Sequence, residues 1–187
     1  MVIRKYREKD YDRVVEICLD TADPAKQAKP VNIWVKEMFC RYYIEKEPES
    51  CFVAVDDNDV PMGYCYGAVD YDKYASQMDE YLKAISELDS ENYLSYSLVE
   101  MYNHYIYKDK YPAHLHIDFL APYRGKGYGT ALINALCDDF KARGVKGVML
   151  IVGSDNPRAQ NFYEKIGFEL LNKKKSGYAY GKALSEG

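Results

Sequence analysis

Two hydrophobic periods alternate along the chain. Residues 2–6 carry Val2 and Ile3 in a short apolar run of strand length. The spacing then becomes helical, with Val14, Val15, Ile17, Cys18 and Leu19 on one face and Asp10 placed to cap the helix. A second helical stretch over 31–46 bears Ile33, Trp34, Met38, Tyr42 and Tyr43 as an aromatic core stripe, and Pro48 stops it. Residues 51–55 and 60–69 read as strands, and the turn composition Asp56-Asp57-Asn58-Asp59 between them predicts an antiparallel hairpin. Past Pro112 the pattern predicts a strand over 113–120 and a helix to about residue 143, buried through Leu132, Ile133, Leu136, Cys137 and Phe140. Gly144 suits a left-handed cap, and 148–152 is a continuous apolar strand. Asn156 followed by Pro157 opens a short helix that Gly167 ends. Residues 168–171 and 178–182 supply final strands around a lysine-rich turn.

Residues 71–111 break this regularity. They are tyrosine-rich and partly acidic, with helical patches over 77–88 and 94–105. The stretch is too short for its own core, so it is an elaboration of one domain spanning 1–187. Its tyrosines either cover a pocket or partner, joining apolar area to a polar tip, or pack as an amphipathic pair on the main core.

Composition narrows the function classes. The net charge of −4 argues against a nucleic-acid surface, which needs clustered basic residues. No apolar run approaches the ~20 residues of a membrane helix, and the N-terminus lacks a signal-peptide pattern, so no membrane partner and a cytoplasmic location are expected. Cys18, Cys40, Cys51, Cys65 and Cys137 form no C-x-x-C pair and read as reduced, buried thiols. With three histidines in the chain, no metal site is expected.

Chemistry enters at Arg124-Gly125-Lys126-Gly127-Tyr128-Gly129-Thr130, between the 113–120 strand and the following helix. Glycines there let backbone N–H groups approach a ligand, and the helix start adds unpaired donors and the positive end of the dipole. A phosphate-bearing ligand is the first expectation for such a turn. A nucleoside triphosphate loop needs G-x-x-x-x-G-K-[ST], which this lysine between glycines does not provide. A dinucleotide turn needs G-x-G-x-x-G and a later acidic residue, whereas here the spacing is G-x-G-x-G and the next strand ends apolar at Ile151-Val152.

Arg124, Gly127 and Gly129 match the R-x-x-G-x-G signature of the GNAT acyl-coenzyme A acetyltransferases, and 156–168 is similar to that family's N-x-x-A-x-x-x-Y-x-x-x-G-F segment. The matched part covers about 113–171. The chain therefore resembles the GNAT family. More narrowly, Ile3-Arg4, Ile17-Cys18-Leu19-Asp20-Thr21 and His114-Leu115-His116-Ile117-Asp118 resemble the acetyltransferase-like domains found with O-GlcNAcases and their bacterial relatives, a group in which activity can be lost or changed. The resemblance implies an α/β (α+β) fold whose mixed, mostly antiparallel central sheet, flanked by helices, splays at the cofactor strand.

It further implies acetyl-CoA as co-substrate, with the pyrophosphate on the backbone of Gly125, Lys126, Gly127, Tyr128, Gly129 and Thr130, and charge from Arg124 or Lys126. Main chain around Asp118, Phe119 and Leu120 would pair with the pantetheine arm and polarise the thioester carbonyl. Asn156 is either a helix cap alone or also a cofactor contact.

The simplest reaction is direct attack by a neutral amine, and an alkylamine of pKa about 10.4 must first lose a proton. Many relatives use a carboxylate on the strand after the glycine helix, but 148–152 carries none and Ile151 stands in its place. Alternation puts His114, His116 and Asp118 on one face. His116 and Asp118 are the candidate bases; alternatively, the three polar groups merely satisfy one another. Tyr163 falls at the family's tyrosine, where a phenol protonates the departing thiolate; a core tyrosine is the plain alternative.

The leading expectation is an acyl-CoA-dependent N-acetyltransferase acting on a primary amine of a small molecule, amino sugar or peptide. A non-catalytic acyl-CoA-binding module is the alternative, and an interaction domain docking through its tyrosines is a third. A homodimer is among the candidate assemblies.

Overall fold

The computed structural model describes residues 1–88 and 91–184. Residues 89–90, within the 71–111 elaboration, and 185–187, at the end of the expected 1–187 domain, lie outside the described residues.

Seven strands form one sheet: β1 (Val2–Lys5), β2 (Cys51–Val55), β3 (Pro61–Ala68), β4 (Ala113–Phe119), β5 (Gly147–Val152), β6 (Glu169–Lys174) and β7 (Gly177–Ala183). Their spatial order is β1-β2-β3-β4-β5-β7-β6, and β4–β5 is the one parallel pairing among the described strands. Strand alternation divides the core into two layers. Tyr64 and Tyr66 of β3 face a layer built with α1 (Tyr11–Thr21), α2 (Val31–Lys36) and α3 (Tyr42–Lys46). Cys65 between them, with Leu115 and Phe119 of β4, faces α7 (Tyr128–Ala142) and α8 (Pro157–Lys165). Gly144 ends the α7 segment at φ 77° and Gly167 follows α8 at φ 88°, conformations that favour glycine.

The 31–46 helix is present but underwound in its middle. A π-helical segment, Glu37–Arg41, joins α2 to α3, and the Tyr66 hydroxyl donates to the Phe39 carbonyl at 2.7 Å. Asp10 does not cap α1 with its side chain, as its position predicts. Instead Arg4 grips its carboxylate through two nitrogens at 2.7 and 3.0 Å, and it accepts the Arg7 amide at 2.9 Å.

The 71–111 region folds as α4 (Tyr71–Ser76), α5 (Asp79–Ser86) and α6 (Glu91–Tyr105), packed over α2 and α3. Tyr74, Met78, Tyr81 and Ile85 are buried there. Trp34 reaches across to α6, its indole N–H donating to Ser97 Oγ at 2.9 Å. Tyr96, Leu98, Val99, Tyr102 and Tyr105 of α6 remain exposed. All five cysteines are buried and unpaired. Among the described residues no helix is long and apolar enough to cross a membrane.

Candidate active site

β4 and β5 pair only at Ala113–Val148 and His114–Met149 and then part. The gap opens into a groove of about 650 Å³ lined by Leu115 to Phe119, by Leu150 to Gly153 and by Phe162 and Tyr163 of α8. Parity decides which amides face it. Leu120 N–H donates to Met62 O at 3.1 Å, toward β3, and antiparallel pairs alternate, so Asp118 turns the same way. Ile117 and Phe119 therefore present their N–H groups to the opened side, and among the described residues neither amide has a backbone partner. Of the main chain expected to meet the pantetheine arm, Phe119 turns its amide to the groove while Asp118 and Leu120 turn theirs to β3, and Ile117 offers a second donor to the groove.

The glycine turn closes one end of the groove. Gly125 and Gly127 stand at φ 78° and 83°, and Gly127 precedes the first turn of α7, so N–H groups and the positive helix end face the cavity. Arg124 is anchored by its Nε, which donates to Phe119 O at 2.7 Å, leaving the rest of the guanidinium exposed. Lys126 is also exposed, its ammonium over the Tyr123 ring. Tyr128 stacks on Phe119 and Gly129 runs close under Phe162, while Thr130 lines the groove. Arg158 on α8 approaches Gly125 from across the mouth. Asn156 also lines the groove, and its side chain accepts the Ala159 amide at 3.1 Å as the predicted cap.

A second cavity of about 200 Å³ lies on the other side of β4, walled by Cys18, Val35, Phe39 and Tyr64 with Lys26 in its lining. The two cavities share Thr21, His116 and Asp118. Asp118 is half-buried, and Tyr64 donates to its Oδ2 at 2.8 Å. Burial pushes its pKa up to about 6, against the opposing pull of Tyr64, Arg124 and Thr21. His116 moves the other way, down to about 4, through burial and the nearby His104, with Glu100 opposing. The group that titrates nearer neutrality is thus the aspartate. Behind the pair, Tyr43 Oη sits 2.8 Å from His114 Nε2 and 2.9 Å from His116 Nε2.

Tyr163 lines the groove at 9% exposure, ringed by Phe162, Phe168 and Tyr180. Burial, then the Asp118 charge, raise its pKa well above the ordinary phenol value, so the hydroxyl stays protonated. β5 presents the half-buried Ile151 to the groove and carries no carboxylate. Among the described residues no three His, Cys, Asp or Glu side chains are arranged to hold a metal. Sequence reasoning missed Tyr64, Thr21 and the bridging role of Tyr43. Tyr43 sat in an aromatic stripe that reads as core, which it also is.

The model of the acetyltransferase (GNAT) family matches residues 11–168. The chain is 47% identical over 58 residues to an uncharacterized N-acetyltransferase of Methanocaldococcus jannaschii, a match covering 30% of this chain and 26% of that protein. It is 44% identical over 46 residues to N-alpha-acetyltransferase 30 of Schizosaccharomyces pombe, covering 25% and 31%. These matches span less than a third of either curated relative. Among solved structures, SsHAT is similar at TM-score 0.86 and 27% identity, over 99% of this chain and 98% of that one. The PaiA N-acetyltransferase of Thermoplasma acidophilum in complex with coenzyme A gives 0.61 at 16% identity, over 97% and 98%, a likeness of fold.

Proposed function

This chain belongs to the GNAT acetyltransferase family, and from that premise we propose that it transfers an acetyl group from acetyl-CoA to a primary amine by direct attack. The observation that carries the reading is the pair of adjacent cavities: one ends in the glycine turn at the start of α7, and both take Asp118 and His116 into their walls. A thioester in the first and an amine in the second would face each other there.

Each residue then has a task. The amides from Gly125 to Thr130, with Arg124 and Lys126, hold the diphosphate. Ile117 and Phe119 N–H groups pair with the pantetheine arm and donate to the thioester oxygen as negative charge develops. The amine nitrogen bonds to the acetyl carbon, the carbon–sulfur bond breaks, and the amine's surplus proton passes to the Asp118 carboxylate, with His116 beside it. Tyr163 gives its hydroxyl proton to the departing sulfur, releasing coenzyme A as the thiol, and regains a proton from solvent through the open groove. Asn156 holds the α8 start against the cofactor. Buried, unpaired thiols support work in a reducing compartment such as the cytoplasm.

The acceptor class is a small-molecule, amino-sugar or peptide amine. A panel of polyamines, amino sugars, amino acids and peptide N-termini, read by thiol release from acetyl-CoA, tests this. Release with at least one acceptor is expected; saturable cofactor binding without release for any acceptor would favour a non-catalytic acyl-CoA-binding module. One observation favours that second reading, the absence of a carboxylate from β5. The exposed aromatic face of α6 supports a homodimer, which sedimentation measures directly.

A further inference from the structure

Resting on the reading of the cavities just given, a division of labour between His116 and Asp118 follows from the protons behind them. Tyr43 has one hydroxyl proton and two imidazole nitrogens within hydrogen-bond distance, His114 Nε2 and His116 Nε2. It donates to one and must accept from the other. With both rings neutral, the two histidines are therefore held in opposite tautomers. This network is enclosed: Tyr43 and His114 are 1% exposed, and Tyr66 and Tyr74 rings flank them.

The direction of the chain is set at its inner end. His114 Nδ1 is buried without a hydrogen-bond partner. A buried N–H with no acceptor is rarer in proteins than an unfilled acceptor, so Nδ1 is the bare nitrogen and Nε2 carries the proton. His104 repeats the arrangement. Its Nε2 lies 3.5 Å from the Glu100 carboxylate, the natural place for its proton, and its Nδ1 is again buried and unpartnered. The two rings stack with centroids 4.3 Å apart. His114 Nε2–H then donates to Tyr43, Tyr43 donates to His116 Nε2, and the remaining proton of His116 sits on Nδ1.

We propose that Tyr43 and His114 are positioning residues that fix His116 as a neutral Nδ1–H donor at the junction of the cavities, leaving Asp118 to take the proton of the attacking amine. His116 lines both cavities with its Nε2 turned inward to Tyr43, so Nδ1 is the ring nitrogen left for a ligand. As an N–H it orients the acceptor or its carbonyl partner and has no lone pair to accept a proton. Asp118, held by Tyr64 on its Oδ2, keeps Oδ1 for that task.

The test needs no acceptor. With three histidines in the chain, ring 15N spectra of histidine-labelled protein at pH 7 can be assigned by single substitutions. His104 and His114 are expected as Nε2–H and His116 as Nδ1–H, and Tyr43→Phe is expected to release His116 toward Nε2–H. His116 found as Nε2–H with His114 as Nδ1–H, or averaging between the two, overturns the proposal, and the wild-type spectrum decides this even where a variant does not fold. With an acceptor in hand, His116→Asn places an amide N–H near the Nδ1 position but offers no base. Its kcat is expected within about tenfold of wild type, whereas removing a general base costs roughly 100-fold or more; such a loss at unchanged coenzyme A affinity overturns the assignment. A protein that shows the expected tautomers yet acetylates nothing refutes the acetyltransferase reading and not the tautomer assignment.

Discussion

Tyr64 and Asp118 occupy directly paired positions on β3 and β4, and the Tyr64 hydroxyl donates to Asp118 Oδ2 at 2.8 Å. This single cross-strand contact holds a carboxylate at the waist between two cavities. It also limits how far burial raises the carboxylate's pKa.

The pH dependence follows from that balance. Asp118 is active as the carboxylate, and its folded pKa is raised from 3.8 to about 6. Activity should rise with pH through about 6, and Tyr64→Phe, which removes the stabilising donor, should move that limb upward. Tyr163, Thr21, Arg124 and His116 face the same space, and His116 is neutral above about 4. The stability sign is opposite to that of a salt-bridged acid: ionised Asp118 is disfavoured by folding above its unfolded pKa. Asp118→Asn should therefore raise Tm at pH 8 relative to wild type and do so less at pH 4, while abolishing turnover.

Tyr163→Phe keeps the ring among Phe162, Phe168 and Tyr180 and removes only the hydroxyl. kcat should fall roughly 100-fold, the scale of one general acid, with coenzyme A affinity unchanged by calorimetry. Equal turnover would make Tyr163 a core residue.

Gly127 and Gly144 give a matched pair. Both are left-handed, at φ 83° and 77°, and an added Cβ meets nothing within 4 Å at either. Alanine at each should cost about 1 kcal/mol of stability through backbone strain alone. Only Gly127→Ala should also weaken coenzyme A, on the order of tenfold, because only that strain distorts the phosphate-binding amides; tenfold is about 1.4 kcal/mol.

The strands, their hairpins and the glycine turn were legible because each rests on local chemistry: alternation, turn composition, caps at Asn156 and Gly167. The face shared by His114, His116 and Asp118 was legible for the same reason. Which amides line the groove was not, since it depends on the partner strand: Leu120 is committed to Met62, some sixty residues away in sequence. Asp10 misled because a distant pairing with Arg4 outcompeted helix capping. Tyr43 was hidden by its own burial. Apolar periodicity reports that a tyrosine ring is inside, and is silent about where its hydroxyl points.

The central claim is that the parted edge of β4 pairs with an acyl-CoA. Amide hydrogen exchange resolved by residue, with and without coenzyme A at saturation, tests it most directly. Exchange at Ile117 and Phe119 should slow on binding, together with the turn from Gly125 to Thr130, while Asp118 and Leu120, already bonded to β3, should change little. No saturable protection at Ile117 and Phe119, or protection confined to residues away from the groove, would contradict the account.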